Sequence, residues 1–174
     1  MSTACGRRCR KTSEAMFNRR FRTKRSGIVE INITEDERSL LADLIDQLRE
    51  LVLSTSPEGD VDPALRRLYP TAYADDAQHE AEYQRLMRDQ LLERRLSHLD
   101  VVENTLNDQE LNQESLSSWI MSINDLRLVL GTHLDVSEDE EPRFLDDDDP
   151  KQHQSAIYHY LSHLLGELIE VTSN

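Results

Sequence analysis

The chain is poor in the residues that build sheets, disulfide scaffolds and membrane spans. Its 174 residues include five glycines, five prolines, one Trp, three Phe and five Tyr. A β-sandwich or barrel needs frequent turn signals and large cross-strand side chains, so this composition argues for helices. Two cysteines cannot make a disulfide-dense scaffold. No apolar run approaches the roughly 20 residues of a transmembrane helix, and the first residues lack the apolar centre of a secretory signal. They are Arg-rich and acid-poor, as organellar transit peptides are, but residues 1–15 show no amphipathic apolar face. The chain is therefore expected in the cytoplasm, away from membranes. There a stable structural disulfide would be unusual, and a thiol pair more often does redox work or binds metal.

Catalytic patterns are equally absent. There is no Gly-rich phosphate loop, no Gly-x-Ser-x-Gly elbow and no paired helix motif for a di-iron centre. The chain is read as non-enzymatic and without a cofactor. His159 and His163 stand four apart, a spacing at which two imidazoles can share a metal, but both fall on the polar face of their helix and are read as surface residues. The acidic loop Asp135–Asp149 lacks the ligand spacing and turn glycine of a calcium loop. No metal site is assigned.

What the chain does have is charge, unevenly placed. Residues 1–25 hold nine Lys/Arg and one acid, about +8, so the rest of the chain carries about −22 of the net −14. A basic arm is attached to an acidic body. Such a body is repelled by nucleic acid and attracted to basic protein surfaces.

At this length one domain can bury a proper core. Residues 1–15 have almost nothing to bury and form a flexible basic arm; residues 16–174 form the folded domain. Met16–Arg22 and Ile28–Ile33 alternate in the manner of strands around a Gly27 turn, which predicts a β-hairpin over 16–33. Thr34 and Glu37 make a capping box that opens a helix. Asp62-Pro63 starts a short helix that stops before Pro70. A long charged helix runs from about Asp76 to Leu106, followed by a linker over Asn107–Glu110. Asp149-Pro150 caps a final helix. The expected fold is mainly α, a single bundle of four to five helices with a small N-terminal β-hairpin.

The stretch Leu111–Leu134 holds the only Trp. Asn112 is its N-cap, with Leu111 and Leu116 as a hydrophobic staple. Leu116, Trp119, Ile123, Leu126 and Leu130 then share one face, and Met121, Leu128 and Val129 lie outside it. A helix apolar on more than one side belongs at the centre of its domain. Arg127 falls inside the apolar stripe and needs a carboxylate or several carbonyls. It is read as one half of a buried structural ion pair, with an anion site as the alternative. Asn124-Asp125 reads as a polar edge.

Cys5-Gly6-Arg7-Arg8-Cys9 is the most chemically informative segment. The thiolate is the reactive form, and Arg7, Arg8, Arg10 and Lys11 stabilise it. A three-residue spacer lets a flexible chain bring the two thiols together. A sulfenic acid on one could then be resolved by the other. The residues alone leave two readings open, a redox pair or two incidental cysteines.

Trp119 followed by Ile123-Asn124-Asp125-Leu126-Arg127-Leu128-Val129-Leu130-Gly131-Thr132 resembles the signature of an actinobacterial family of unknown function. The hairpin-to-helix segment Phe21–Leu53, Asp62-Pro63-Ala64-Leu65 and Tyr73 also fit it. The N-terminal Cys5-x-x-x-Cys9 is similar to the branch described as an actinomycete oxidative-stress regulator. The resemblance implies a redox-sensing transcriptional regulator in which Cys5 and Cys9 form an intramolecular disulfide on oxidation, reversed by a thioredoxin-type reductant. It implies action on the transcription machinery through a protein partner, a stress sigma factor of RNA polymerase. The acidic body and the lack of a DNA-reading motif put direct DNA binding in doubt. A homodimer is left open. A constitutive acidic adaptor with no redox role is the alternative.

Overall fold

A computed structural model of the chain describes residues 19–54, 62–136 and 151–173. Strand β1 (Phe21–Thr23) pairs antiparallel with β2 (Val29–Ile31), with Phe21 opposite Ile31 and Thr23 opposite Val29. The predicted hairpin is present, and its paired residues span only 21–31. The turn closes through Lys24 N–H to the Ile28 carbonyl (2.8 Å) and Gly27 N–H to the Lys24 carbonyl (2.9 Å). Gly27 sits at φ 79°, the left-handed region that disfavours an L side chain.

Helix α1 (Glu35–Leu53) opens with the predicted capping box. Thr34 Oγ1 accepts from the Glu37 N–H, and the Glu37 carboxylate accepts from the Thr34 N–H at 2.8 Å. The short helix at Asp62-Pro63 is a single 3-10 turn, Pro63–Leu65, capped by the Asp62 side chain. Helix α2 (Ala77–Thr105) starts at Asp76, whose carboxylate accepts from Gln78 and His79 N–H.

The apolar pattern puts Asn107–Glu110 in a linker. Instead, Glu110–Leu111 forms β3, antiparallel to β2, and completes a sheet of order β1-β2-β3. Two residues carry no readable periodicity, so only the long-range pairing with Val29 and Glu30 creates this strand. Helix α3 (Gln113–His133) follows, with Asn112 Oδ1 accepting from the Ser115 N–H at 2.8 Å and both staple residues, Leu111 and Leu116, buried. The last helix, α4 (Gln152–Thr172), has Lys151 at its N-cap position and no side-chain cap. Asp149 and Pro150, expected to cap it, lie outside the described residues.

The described residues are therefore mainly helical, with four helices and a small three-stranded antiparallel sheet. Helix α3 is the axis, touching α1, α2, α4, the 3-10 turn and β3. Trp119 is fully buried there, its indole Nε1–H donating to Thr105 Oγ1 at 2.9 Å and its ring edge-on to Phe21 at 5.8 Å. One side chain thus joins α3 to α2 and to the sheet. Among the described residues no helix is long and apolar enough to cross a membrane.

Candidate functional site

The thiols and the arginines that would activate them (Cys5, Cys9, Arg7, Arg8 and Arg10) lie outside the described residues. What the structure shows is the point at which the basic segment joins the body. Arg19 and Arg20 are the first residues described. Arg20 Nε lies 2.6 Å from Glu37 Oε1 on α1, and Nη1 lies 3.3 Å from Glu167 Oε1 on α4. Its backbone N–H donates to Glu167 Oε2 at 2.7 Å, and its guanidinium stands 5.5 Å over the Tyr160 ring. Arg19 adds an exposed pair with Glu170 at 2.9 Å, a contact of small energetic worth alone.

The geometry follows from local structure. Glu37 is fixed by its capping box, and Tyr160 and Glu167 lie two turns apart on one face of α4. Burial tends to raise the Glu37 carboxyl, but the Thr34 N–H and the Arg20 guanidinium outweigh it and hold the group below the usual carboxylate range. Burial, then the Glu37 charge, pushes the Tyr160 hydroxyl up, so it keeps its proton at neutral pH. The root of the basic segment is thus clamped to two helices by carboxylates of the body. His163, exposed, places Nε2 3.1 Å from Glu167 Oε1. Among the described residues no group of three or more metal-ligating side chains converges.

A second polar cluster lies where the 3-10 turn, α2, α3 and α4 meet. Arg127 is half-buried, with Nη1 3.5 Å from Tyr158 Oη and the guanidinium 6.0 Å over that ring. Among the described residues it meets no carboxylate. The buried ion pair belongs instead to Arg95 on α2 and Asp125 on α3, whose Nε and Oδ2 are 3.2 Å apart. The wheel places Arg127 in the apolar stripe, and its Nε is buried there without an aligned acceptor, while the guanidinium meets the Tyr158 hydroxyl and ring. Asp125, expected at a polar edge, is 8% exposed.

Arg95 donates to the Leu68 carbonyl and stands 4.9 Å over the Tyr69 ring, while its Nε–H finds no aligned acceptor. The pair is a contact of charges without a hydrogen-bonded fork. Burial pushes the Asp125 carboxyl up to about 6, and Arg95 offsets only part of that rise. The signal that could have located this pair is in the sequence: Arg95 sits four residues from both Leu91 and Leu99, inside an apolar stripe.

Gly131 closes this seam. A Cβ there would stand 3.1 Å from Tyr158 Cε2 and 3.2 Å from Arg67 Nη1, which itself is held by the Val136 carbonyl through Nη2 at 2.5 Å. Gly131→Ala, which in an open helix would gain about 1 kcal/mol, is expected here to lose about 1 kcal/mol through overpacking against the buried Tyr158 ring. Urea unfolding of the variant measures the sign.

These features define a helical domain with a small sheet, built around one central helix and two arginine–carboxylate clusters. The chain belongs to the family described as a domain of unknown function (DUF2017), whose model matches residues 18–172. Both cysteines precede the matched stretch. No match was found among curated proteins or among solved structures.

Proposed function

We propose that this protein is a cytoplasmic, non-enzymatic, redox-sensing transcriptional regulator of the oxidative-stress response. The observation that carries the reading is Cys5-Gly6-Arg7-Arg8-Cys9, a thiol pair within a first 25 residues of about +8, joined to a remainder of about −22. Peroxide oxidises one thiolate to a sulfenic acid, releasing hydroxide. The second thiol then displaces water from it and forms the disulfide. A thioredoxin-type dithiol reverses the step. The body acts through a protein partner, a stress sigma factor of RNA polymerase, a role suited to its acidity. The ion pairs of Arg19 and Arg20 with Glu37, Glu167 and Glu170 support the reading, because they tie the end of the basic segment to the acidic body.

Intact mass and alkylation counting test it. Mild peroxide is expected to remove two hydrogens and both free thiols, reversibly with dithiothreitol. Cys5→Ser and Cys9→Ser are each expected to abolish the change and the oxidant response in cells. Two thiols that stay free under these conditions would sink the reading. A second reading, a constitutive acidic adaptor, is favoured by one observation: the family match begins at residue 18, after both cysteines. It is supported if partner binding is identical in the Ser variants with and without oxidant.

A further inference from the structure

Helix α2 is 29 residues long, roughly 44 Å at 1.5 Å per residue, yet its buried positions, Leu99 and Val102, both lie in its last turns. The earlier turns carry apolar side chains that the domain covers only in part: Leu92 and Leu96 are half-buried at the edge of the core. Leu86 is 64% exposed. Beside it runs an open groove of about 530 Å³ lined by Asp89, Leu92, Glu93, Leu96, Ser97 and Asp100. These positions recur at i, i+3, i+4, i+7, i+8 and i+11, so they form one strip along the helix, and Leu86 extends it by a turn. The lining holds three carboxylates and no cation. Asp100 at its far end is engaged by Arg49 of α1 at 2.7 Å; Asp89 and Glu93 are exposed.

An apolar strip edged by acids on a projecting helix has the form of a helix-docking surface. We propose that the Leu86–Asp100 strip of α2 binds a basic amphipathic helix of a protein partner. The strip spans roughly 21 Å, room for about four helical turns. Leu86, Leu92 and Leu96 take the partner's apolar side chains, and Asp89 and Glu93 meet Lys or Arg on its flanks. Charge selects the class of occupant: a nucleic acid or an acidic helix is repelled by the same carboxylates that draw a basic one. The inference rests on the reading that the body works through a protein partner. It does not depend on Cys5 and Cys9.

The test uses the full chain and a fluorescein-labelled designed Leu/Lys amphipathic helix, with a Leu/Glu helix of the same pattern as comparison. Fluorescence anisotropy is read at physiological salt. The basic helix is expected to bind and the acidic one not. Leu86→Ser is expected to weaken binding about tenfold, and Asp89→Lys with Glu93→Lys by at least as much. These positions are exposed, and circular dichroism confirms that the variants are folded. Asp43→Lys with Asp46→Lys makes the same charge change on the exposed face of α1 and is expected to alter binding less than about twofold. Equal weakening by both double variants, or none by either, overturns the proposal, because attraction would then be to overall charge. A dimer in light scattering that Leu86→Ser converts to monomer also overturns it, since a second copy would then be the occupant. None of these outcomes bears on the disulfide, which the mass measurement decides separately.

Discussion

Trp119→Ala is expected to lower the unfolding free energy by about 3–5 kcal/mol. That is a large fraction of the roughly 5–15 kcal/mol of a typical domain. Trp119 is fully buried at the centre of α3, where its ring meets Phe21 of β1 and its indole N–H meets Thr105 of α2. Truncation opens a cavity at the junction of three elements, and all three cannot close on it at once. The lost hydrogen bond matters less, because Thr105 Oγ1 still donates to the Val101 carbonyl at 2.7 Å. Trp119→Phe, which keeps most of the apolar volume, is expected to lose about half as much or less. Urea unfolding followed by circular dichroism measures both, since Trp119 is the only Trp and its variants have no indole fluorescence. A loss below about 1 kcal/mol for Trp119→Ala would show that the core does not depend on this junction.

Asp125→Asn is expected to stabilise the protein above pH 7 by about 1–3 kcal/mol, an effect that fades on acidification. Burial is the largest influence on this carboxyl and raises it from 3.8 to about 6 against the pull of Arg95. The folded chain thus holds this proton more tightly than the unfolded chain. Its contribution to stability is complete below pH 4 and is lost as pH rises through about 6. Two units of difference correspond to about 3 kcal/mol. Asn keeps the shape and fixes the neutral form, so the gap between variant and parent should be widest above pH 6 and close toward pH 4. Glu37, held low by Thr34 and Arg20, works in the opposite direction: its contribution is present above its ordinary value and is lost in acid. The parent–variant difference cancels that background. If the parent is the more stable protein at pH 7.5, the Arg95–Asp125 attraction outweighs desolvation, and the account of the seam must be reversed.

The two arginines show where reading the sequence stops. A wheel assigns Arg127 and Arg95 to apolar stripes by the same reasoning, and the demand for a counter-charge follows for both. Which one receives it depends on how α2, the 3-10 turn and α4 pack against α3. Arg95 is enclosed by Asp125, Tyr69 and the Leu68 carbonyl; Arg127 meets the Tyr158 ring and hydroxyl instead of a carboxylate. Arg20 gave no local signal either, because its partners Glu37 and Glu167 are remote in the chain and meet only when α1 and α4 flank the sheet.

The helical class, the hairpin turn at Gly27, the caps at Thr34 and Asn112, and the central place of the Trp119 helix are all legible in the sequence. Each of these rests on residues within a few positions of one another, where propensity, capping and periodicity act directly. Also legible is the opposition of a basic arm and an acidic body, which is a matter of counting. The third strand at Glu110–Leu111, the pairing of Arg95 with Asp125, the clamp on Arg20 and the open strip on α2 emerge from the packing. These depend on which segments far apart in the chain are brought together, and on which apolar positions the domain is too small to cover.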